Sequence, residues 1–222
     1  MTVQGQLEKV LFTFLRVHID LTGCGRTDTG VHARDYYAHM DVEQDLDVET
    51  LVYRINKMLP NDIAVHAVIP VHDTAHARFD ATSRSYEYHL HTYKSPFIHH
   101  SYFYPYGNPD IDLLNHAAGI ILQYQDFNTF CKTHSDVKTT LCKVTESKWS
   151  LSEGQYIYRI TSDRFLRGMI RLICGMCLNV ARGQIDLSHV HDALRDKKRV
   201  EHDWSVPADG LVLCDIKYPY ML

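Results

Sequence analysis

The sequence predicts an α+β protein built from two related halves. Three observations carry that reading. Helix-periodic and strand-periodic stretches alternate twice along the chain, strand stretches follow one another through hairpin signals, and an aromatic, proline-punctuated segment stands between the two rounds. A doubly wound parallel sheet would need a regular strand–helix–strand run, which this order lacks. At 222 residues the chain can bury a substantial core as one large domain or two small ones. We divide it into an N-terminal half (1–92), a connection (93–108) and a C-terminal half (109–222).

In the first half, Val3, Leu7, Val10, Leu11, Phe14 and Leu15 share one helical face, with Thr2 as its N-cap. "DYYAHMDV" alternates as a strand does. Asp47 opens a second helix, Val48 to Met58, which stops before Pro60. "DIAVHAVIPV" and "RSYEYHLHT" read as strands. The connection is "KSPFIHHSYFYPYGNP". The second half begins with a helix in "PDIDLLNHAAGIILQYQ", with Pro109 at an early position. "KTTLCKVTESKWS" and "QYIYRITSD" flank Leu151-Ser152-Glu153-Gly154, a hairpin signature. A helix from Phe165 to Arg182 ends on Gly183 as a C-cap, and "GLVLCDIKY" forms the last strand.

Composition narrows the function classes. Hydrophobic residues make up 45% and charged residues 23%, as in an ordinary globular protein. No apolar run approaches the roughly 20 residues that span a bilayer, and the N-terminus has no export signal, so a cytoplasmic protein without membrane contact is expected. Six cysteines should then be reduced, buried thiols, including the close pair Cys174 and Cys177 in an apolar helical pattern. Fifteen histidines are scattered without a metal-ligand motif, so no metal is expected. Net charge is −4, yet Arg159 to Arg199 holds nine Lys or Arg against four Asp, while Asp41 to Thr50 holds five acids and no base. A basic face on an acidic body is compatible with a nucleic-acid partner.

The chemistry concentrates in "GCGRTDTGVHA", Gly23 to Ala33. A dinucleotide-binding fingerprint would need a third glycine where Asp28 stands, and a phosphate-binding P-loop would need Lys-Ser/Thr where Val31-His32 stand. A carboxylate would also oppose an anion. The alternative is a loop that presents Asp28 itself, oriented by the Thr27 and Thr29 hydroxyls and loop amides, with Arg26 nearby. An ordinary turn rich in Asp and Thr fits the residues as well.

The whole stretch resembles the G-x-GRTD-x-GVHA signature of the TruA family of tRNA pseudouridine synthases. Four further segments resemble that family in order: "AHARFDATSRSYEYHL", "QDFNTFCK", "RFLRGMIRLICGMCLNVARG" and "VPADGLVLCDIKY". One departure is that the family's opening strand, with its Tyr-Asp-Gly and Gly-Trp-Gln segments, has no counterpart before Met1-Thr2-Val3-Gln4, so that strand is expected to be missing.

The resemblance implies two pseudo-symmetric RRM- or ferredoxin-like halves, a mainly antiparallel sheet flanked by helices, and an active-site cleft between the halves. It implies isomerisation of uridine to pseudouridine at tRNA positions 38, 39 and 40 by a homodimer that needs no cofactor. Asp28 takes the family's nucleophile position, Arg171 that of its counter-ion, and Tyr86 that of the tyrosine stacked on the target base. Leu211 matches the leucine on the base's other face, and Arg26 the arginine that fills the gap left by the flipped nucleotide. Arg34, Arg78, Arg84, Arg164, Arg167 and Arg182 are candidate phosphate contacts, Arg164, Arg167 and Arg171 being read as one stripe on the Phe165–Arg182 helix. Two other readings compete: a non-catalytic RRM-like RNA-binding protein, which would leave Arg26 and Asp28 without a purpose, and a histidine-rich metallohydrolase. A folded but inactive family member is the third.

Overall fold

The computed structural model describes residues 2–131, 138–198 and 204–221. The chain is α+β, and its contacts divide it into two compact units. The first contains residues up to Arg26 and Tyr37–Ala81, and the second contains Thr27–Tyr36 and everything from Thr82 onward. The boundary thus cuts the glycine-rich motif between Arg26 and Thr27.

The smaller unit is built on two amphipathic helices, α1 (Val3–Leu15) and α2 (Val48–Met58). Both start where the sequence places them. The Thr2 hydroxyl accepts from the Gly5 amide, and the Asp47 carboxylate accepts from the Thr50 amide, so each cap satisfies an amide that the helix leaves open. Val10, Leu11, Leu51 and Ile55 form the core with Ile19, Leu21 and Leu59. A two-stranded ribbon pairs β1 (Thr22–Gly23) with β3 (Ala38–His39), antiparallel, which is all that forms of the longer strand expected in "DYYAHMDV".

The strand expected over 62–71 does not form. Its backbone bonds go to a side chain: Asn56 on α2 donates to the Val65 carbonyl at 2.7 Å and accepts from the Val65 amide at 2.8 Å. Ile63, Val65 and Val68 still pack against the core, but the spacing breaks after Val65 and Ile69 and Val71 are exposed, so neither the ladder nor the full alternation forms.

The larger unit is organised by a mixed, mostly antiparallel sheet. Its strands are β2 (His32–Ala33), β4 (Ser83–His91), β5 (Tyr102–Phe103), β6 (Val144–Ser152), β7 (Gln155–Ser162) and β8 (Leu211–Lys217). The order is β2-β8-β4-β7-β6; β5 lies parallel to the end of β4, and β2 parallel to β8. The segment read as a plain connection therefore contributes a strand. The β6–β7 hairpin turns through Glu153 and Gly154, both at positive φ (50° and 77°), as a two-residue turn requires.

In β7 every second residue (Tyr156, Tyr158, Ile160, Ser162) is buried. The core these strands share is completed by α3 (Ile111–Ile121) and α4 (Met169–Ala181). Asp110, not a first-turn proline, caps α3 by accepting from the Asp112 and Leu113 amides. The helix expected from Phe165 begins four residues later. Gly168 is its N-cap at φ 75°, a left-handed conformation that cannot continue a helix, so Arg164 and Arg167 precede α4 instead of sharing its face. Gly183, at φ 66°, ends it as expected. A further helix, α5 (Leu187–Arg195), is not foreseen from the sequence.

All six cysteines are buried and unpaired with one another. Burial pushes the Cys177 thiol up to about 12 and the Cys174 thiol well above its ordinary range, so neither supplies a thiolate. Among the described residues, no helix is long and apolar enough to cross a membrane.

Candidate active site

Asp28 sits at the first position of a tight turn. Its carbonyl accepts from the Val31 amide at 3.1 Å, with Gly30 at φ 87° in the third position, as a type II turn demands. A Cβ on Gly30 would also meet the Ala208 methyl at 3.3 Å. The chain then enters β2, whose pairing with Val212 and Leu213 of β8 ties the turn to the sheet.

The turn brings the Asp28 carboxylate to the start of α4. Arg171 Nη1 donates to Asp28 Oδ2 at 3.3 Å, joining residues 143 positions apart. Arg167 adds a looser ion pair, Nε to Oδ1 at 3.7 Å. The two arginines differ in setting: the Arg171 side chain is 16% exposed and that of Arg167 65%. Arg171 is also held from behind, because its Nε donates to the Val206 carbonyl at 2.7 Å while its own carbonyl accepts from the Val206 amide at 3.4 Å. No Thr27 or Thr29 hydroxyl and no backbone amide bonds the Asp28 carboxylate among the described residues, contrary to the sequence expectation. Guanidinium groups orient it instead.

The segment from Trp204 to Leu211 is the frame of this site, and its role is not evident from sequence. Gly175 of α4 lets the Trp204 carbonyl lie directly on the helix, where any Cβ would overlap it. The Pro207 carbonyl accepts from Tyr88, a fully buried residue whose hydroxyl burial pushes far above its ordinary range. Gly210 passes under β4, where a Cβ would stand 2.6 Å from the His89 carbonyl oxygen. The signal in the sequence is the two glycines bracketing that contact, Gly175 and Gly210, whose partners only the fold reveals.

Tyr86 and Leu211 lie on the neighbouring strands β4 and β8. Tyr86 stands opposite Leu213, and Tyr88 opposite Leu211. The register shifts at Tyr86: Ser85 faces Asp215 and Tyr86 faces Leu213, which leaves Cys214 as an extra residue, a bulge of the kind that re-aims side chains. The half-buried Tyr86 ring meets Phe165 edge-on, with centroids 5.3 Å apart. Leu211 is buried in the main core, 6% exposed.

The remaining arginines spread widely. Arg34 is exposed and approaches Glu87 at 3.7 Å. Arg84 donates to the Asp163 carbonyl at 2.9 Å, and the Arg164 amide to the Asp163 carboxylate at 2.7 Å. Arg182 lies over the Tyr106 ring, 3.9 Å from its centroid. Arg26 and Arg78 belong to the smaller unit and are exposed, Arg78 near the Phe79 ring. The larger unit thus brings Asp28, Arg167 and Arg171 together, and sets Tyr86 and Leu211 on adjacent strands.

A carboxylate that accepts only from guanidinium groups keeps lone pairs open to a further partner. A family model described as tRNA pseudouridine synthase matches residues 124–219. The chain is also similar along nearly its whole length to proteins named tRNA pseudouridine synthase A. That of Parabacteroides distasonis is 40% identical over 220 residues, 99% of this chain and 87% of the relative. That of Bacteroides fragilis is 41% identical over 221 residues, 98% of this chain and 87% of the relative. The Staphylococcus aureus protein is 30% identical over 214 residues, 96% of this chain and 80% of the relative. The chain belongs to this family of tRNA-modifying isomerases.

Proposed function

We propose that this chain isomerises uridine to pseudouridine in the anticodon arm of tRNA, at positions 38 to 40, with Asp28 as the nucleophile. The observation that carries the reading is the 3.3 Å pair between Asp28 and Arg171, which joins two of the sequence segments that resemble the family. A fixed guanidinium beside the carboxylate offers a counter-charge to a nucleophile that acts as an anion. Arg171 suits the task because Val206 fixes its other edge, so the charge stays put when substrate arrives.

The reaction breaks the N1–C1′ bond, turns the base and forms a C5–C1′ bond. The C5 proton is lost and N1 gains one, so atoms balance without an oxidant. Asp28 attacks either the ribose at C1′ or the base at C6. The base must leave its stack to reach the carboxylate, which costs a few kcal/mol. Arg26 would fill the gap, Tyr86 and Leu211 would line the base-binding surface, and Tyr86 would also handle the C5 proton. Arg34, Arg78, Arg84, Arg164 and Arg182 would contact phosphates, with affinity that falls as salt rises. The same reading includes a homodimer and two pseudo-symmetric RRM-like halves.

The test uses tRNA transcript carrying tritium at uridine C5. The parent should release tritium to water, and Asp28→Asn should lose roughly a thousandfold or more of that rate while still folding and binding tRNA. An Asp28→Asn variant as active as the parent would remove Asp28 from the chemistry. Undiminished release from a transcript lacking uridines at 38 to 40 would remove the anticodon-arm assignment.

A further inference from the structure

We propose that His32, His100 and Asp209 form a binding site for one divalent transition-metal ion, best matched by Zn²⁺, that ties the Asp28 turn to the segment entering β8. This goes beyond the isomerase reading and does not rest on it. His32 follows the Asp28–Val31 turn, Asp209 precedes Gly210 and Leu211, and His100 comes from the loop before β5. All three belong to the larger unit.

Three electron-rich atoms converge here. His32 Nε2 is 3.1 Å from Asp209 Oδ1 and 3.0 Å from His100 Nδ1, and His100 Nδ1 is 4.0 Å from the same carboxylate oxygen. Protons alone serve this geometry poorly. A neutral His32 has at most one hydrogen on Nε2, which must be divided between an imidazole nitrogen and a carboxylate. If His100 donates instead, the bare Nε2 lone pair faces the Asp209 oxygen. One cation satisfies all three donors at once.

The spacing fits such an ion. Bonds of about 2.0–2.2 Å to nitrogen and oxygen in a tetrahedron put ligand atoms about 3.4 Å apart, and the three observed separations bracket that value. Two imidazoles and one carboxylate suit zinc and its first-row neighbours rather than calcium or magnesium. The fourth position is left to water, since the His100 and Asp209 side chains are 61% and 62% exposed. The imidazole rings are tilted by 53° with centroids 3.9 Å apart, so closing on an ion requires only a swing of the exposed His100 ring. His100 itself sits at φ 54°, a conformation uncommon for a residue with a side chain, and it aims the ring at His32. Sequence inspection misses the site because His32 is 68 residues from His100 and 177 from Asp209.

The experiment titrates Zn²⁺ into the tag-free, chelator-stripped full chain by calorimetry, alongside His100→Ala and Asp209→Asn. The expected result is one ion per chain with a dissociation constant of about 10 μM or tighter, weakened at least about tenfold in each variant. Co²⁺ should give the visible absorption of a tetrahedral ion in the parent only. Zn²⁺ should raise the melting temperature of the parent and leave both variants unmoved, a comparison that also verifies that the variants fold. Absence of saturable binding would overturn the proposal in favour of a shared-proton cluster. Equal binding by parent and variants would overturn it by placing the ion on other histidines.

Discussion

Two aspartates of the larger unit, Asp28 and Asp126, are each paired with a distant cation, and they are held in opposite ways. Asp126 is bonded on both oxygens. Lys197 donates to it at 2.8 Å, the Thr140 hydroxyl at 2.6 Å and the Asn128 amide at 3.2 Å, and these bonds, Lys197 first, hold its carboxyl below the ordinary carboxylate value. Asp28 receives guanidinium groups alone, at 3.3 and 3.7 Å, with no hydroxyl or amide bond among the described residues. A carboxylate that accepts from an ammonium, a hydroxyl and an amide at once is a structural joint. One held by charge, with lone pairs to spare, is open to a further partner, as the proposed nucleophile must be.

The difference can be broken at its strongest point first. Arg171→Met should lower tritium release by about 100- to 1,000-fold with the fold retained, because Asp28 loses its fixed counter-charge. An Arg171→Met enzyme within a few fold of the parent would mean that Arg167 suffices. Next, Gly175→Ala pushes Trp204, and with it the Val206 carbonyl, off α4. Denaturant melts should show a loss of about 2–4 kcal/mol, and unchanged stability would mean that the segment yields freely.

A smaller effect is expected of Arg167→Met, since that side chain is largely exposed and more distant. Activity should fall about three- to tenfold. A drop as large as that of Arg171→Met would erase the distinction between the two arginines.

The mildest test concerns Asp126. Its folded-state pKa is lowered, so its stabilisation is present above the ordinary value of 3.8 and disappears as pH falls through the lowered one. Asp126→Asn should therefore cost about 1 kcal/mol near about pH 7 and progressively less as pH falls through the lowered value, with turnover unchanged. A pH-independent loss would assign the effect to packing.

What was legible in the sequence was local. Thr2 and Asp47 announce their helices because a cap and its amides lie within three residues. Glu153-Gly154 announces its hairpin for the same reason. The α+β class follows from such pieces. Asp28 and Arg171 were legible through family-like segments, and the fold adds their contact. What failed depended on remote partners. Residues 62–71 alternate like a strand, but Asn56 takes the Val65 backbone bonds. The Phe165–Arg182 pattern keeps a helical period from its first residue, and only the conformation of Gly168 shows that its first turn is not helix. Proximity in sequence points to Thr27 and Thr29 as the groups orienting Asp28, whereas the fold supplies Arg171 from 143 residues away.

The helix that carries Arg171 buries nine of its residues, from Met169 to Val180, in the main core. Backbone amides in such an element exchange with solvent only through global opening. Arg171, the proposed counter-ion, thus stands on a helix deep in the core of the larger unit. On heating, catalytic competence should persist until the cooperative transition itself, and the inactivation curve should overlay the melting curve instead of preceding it.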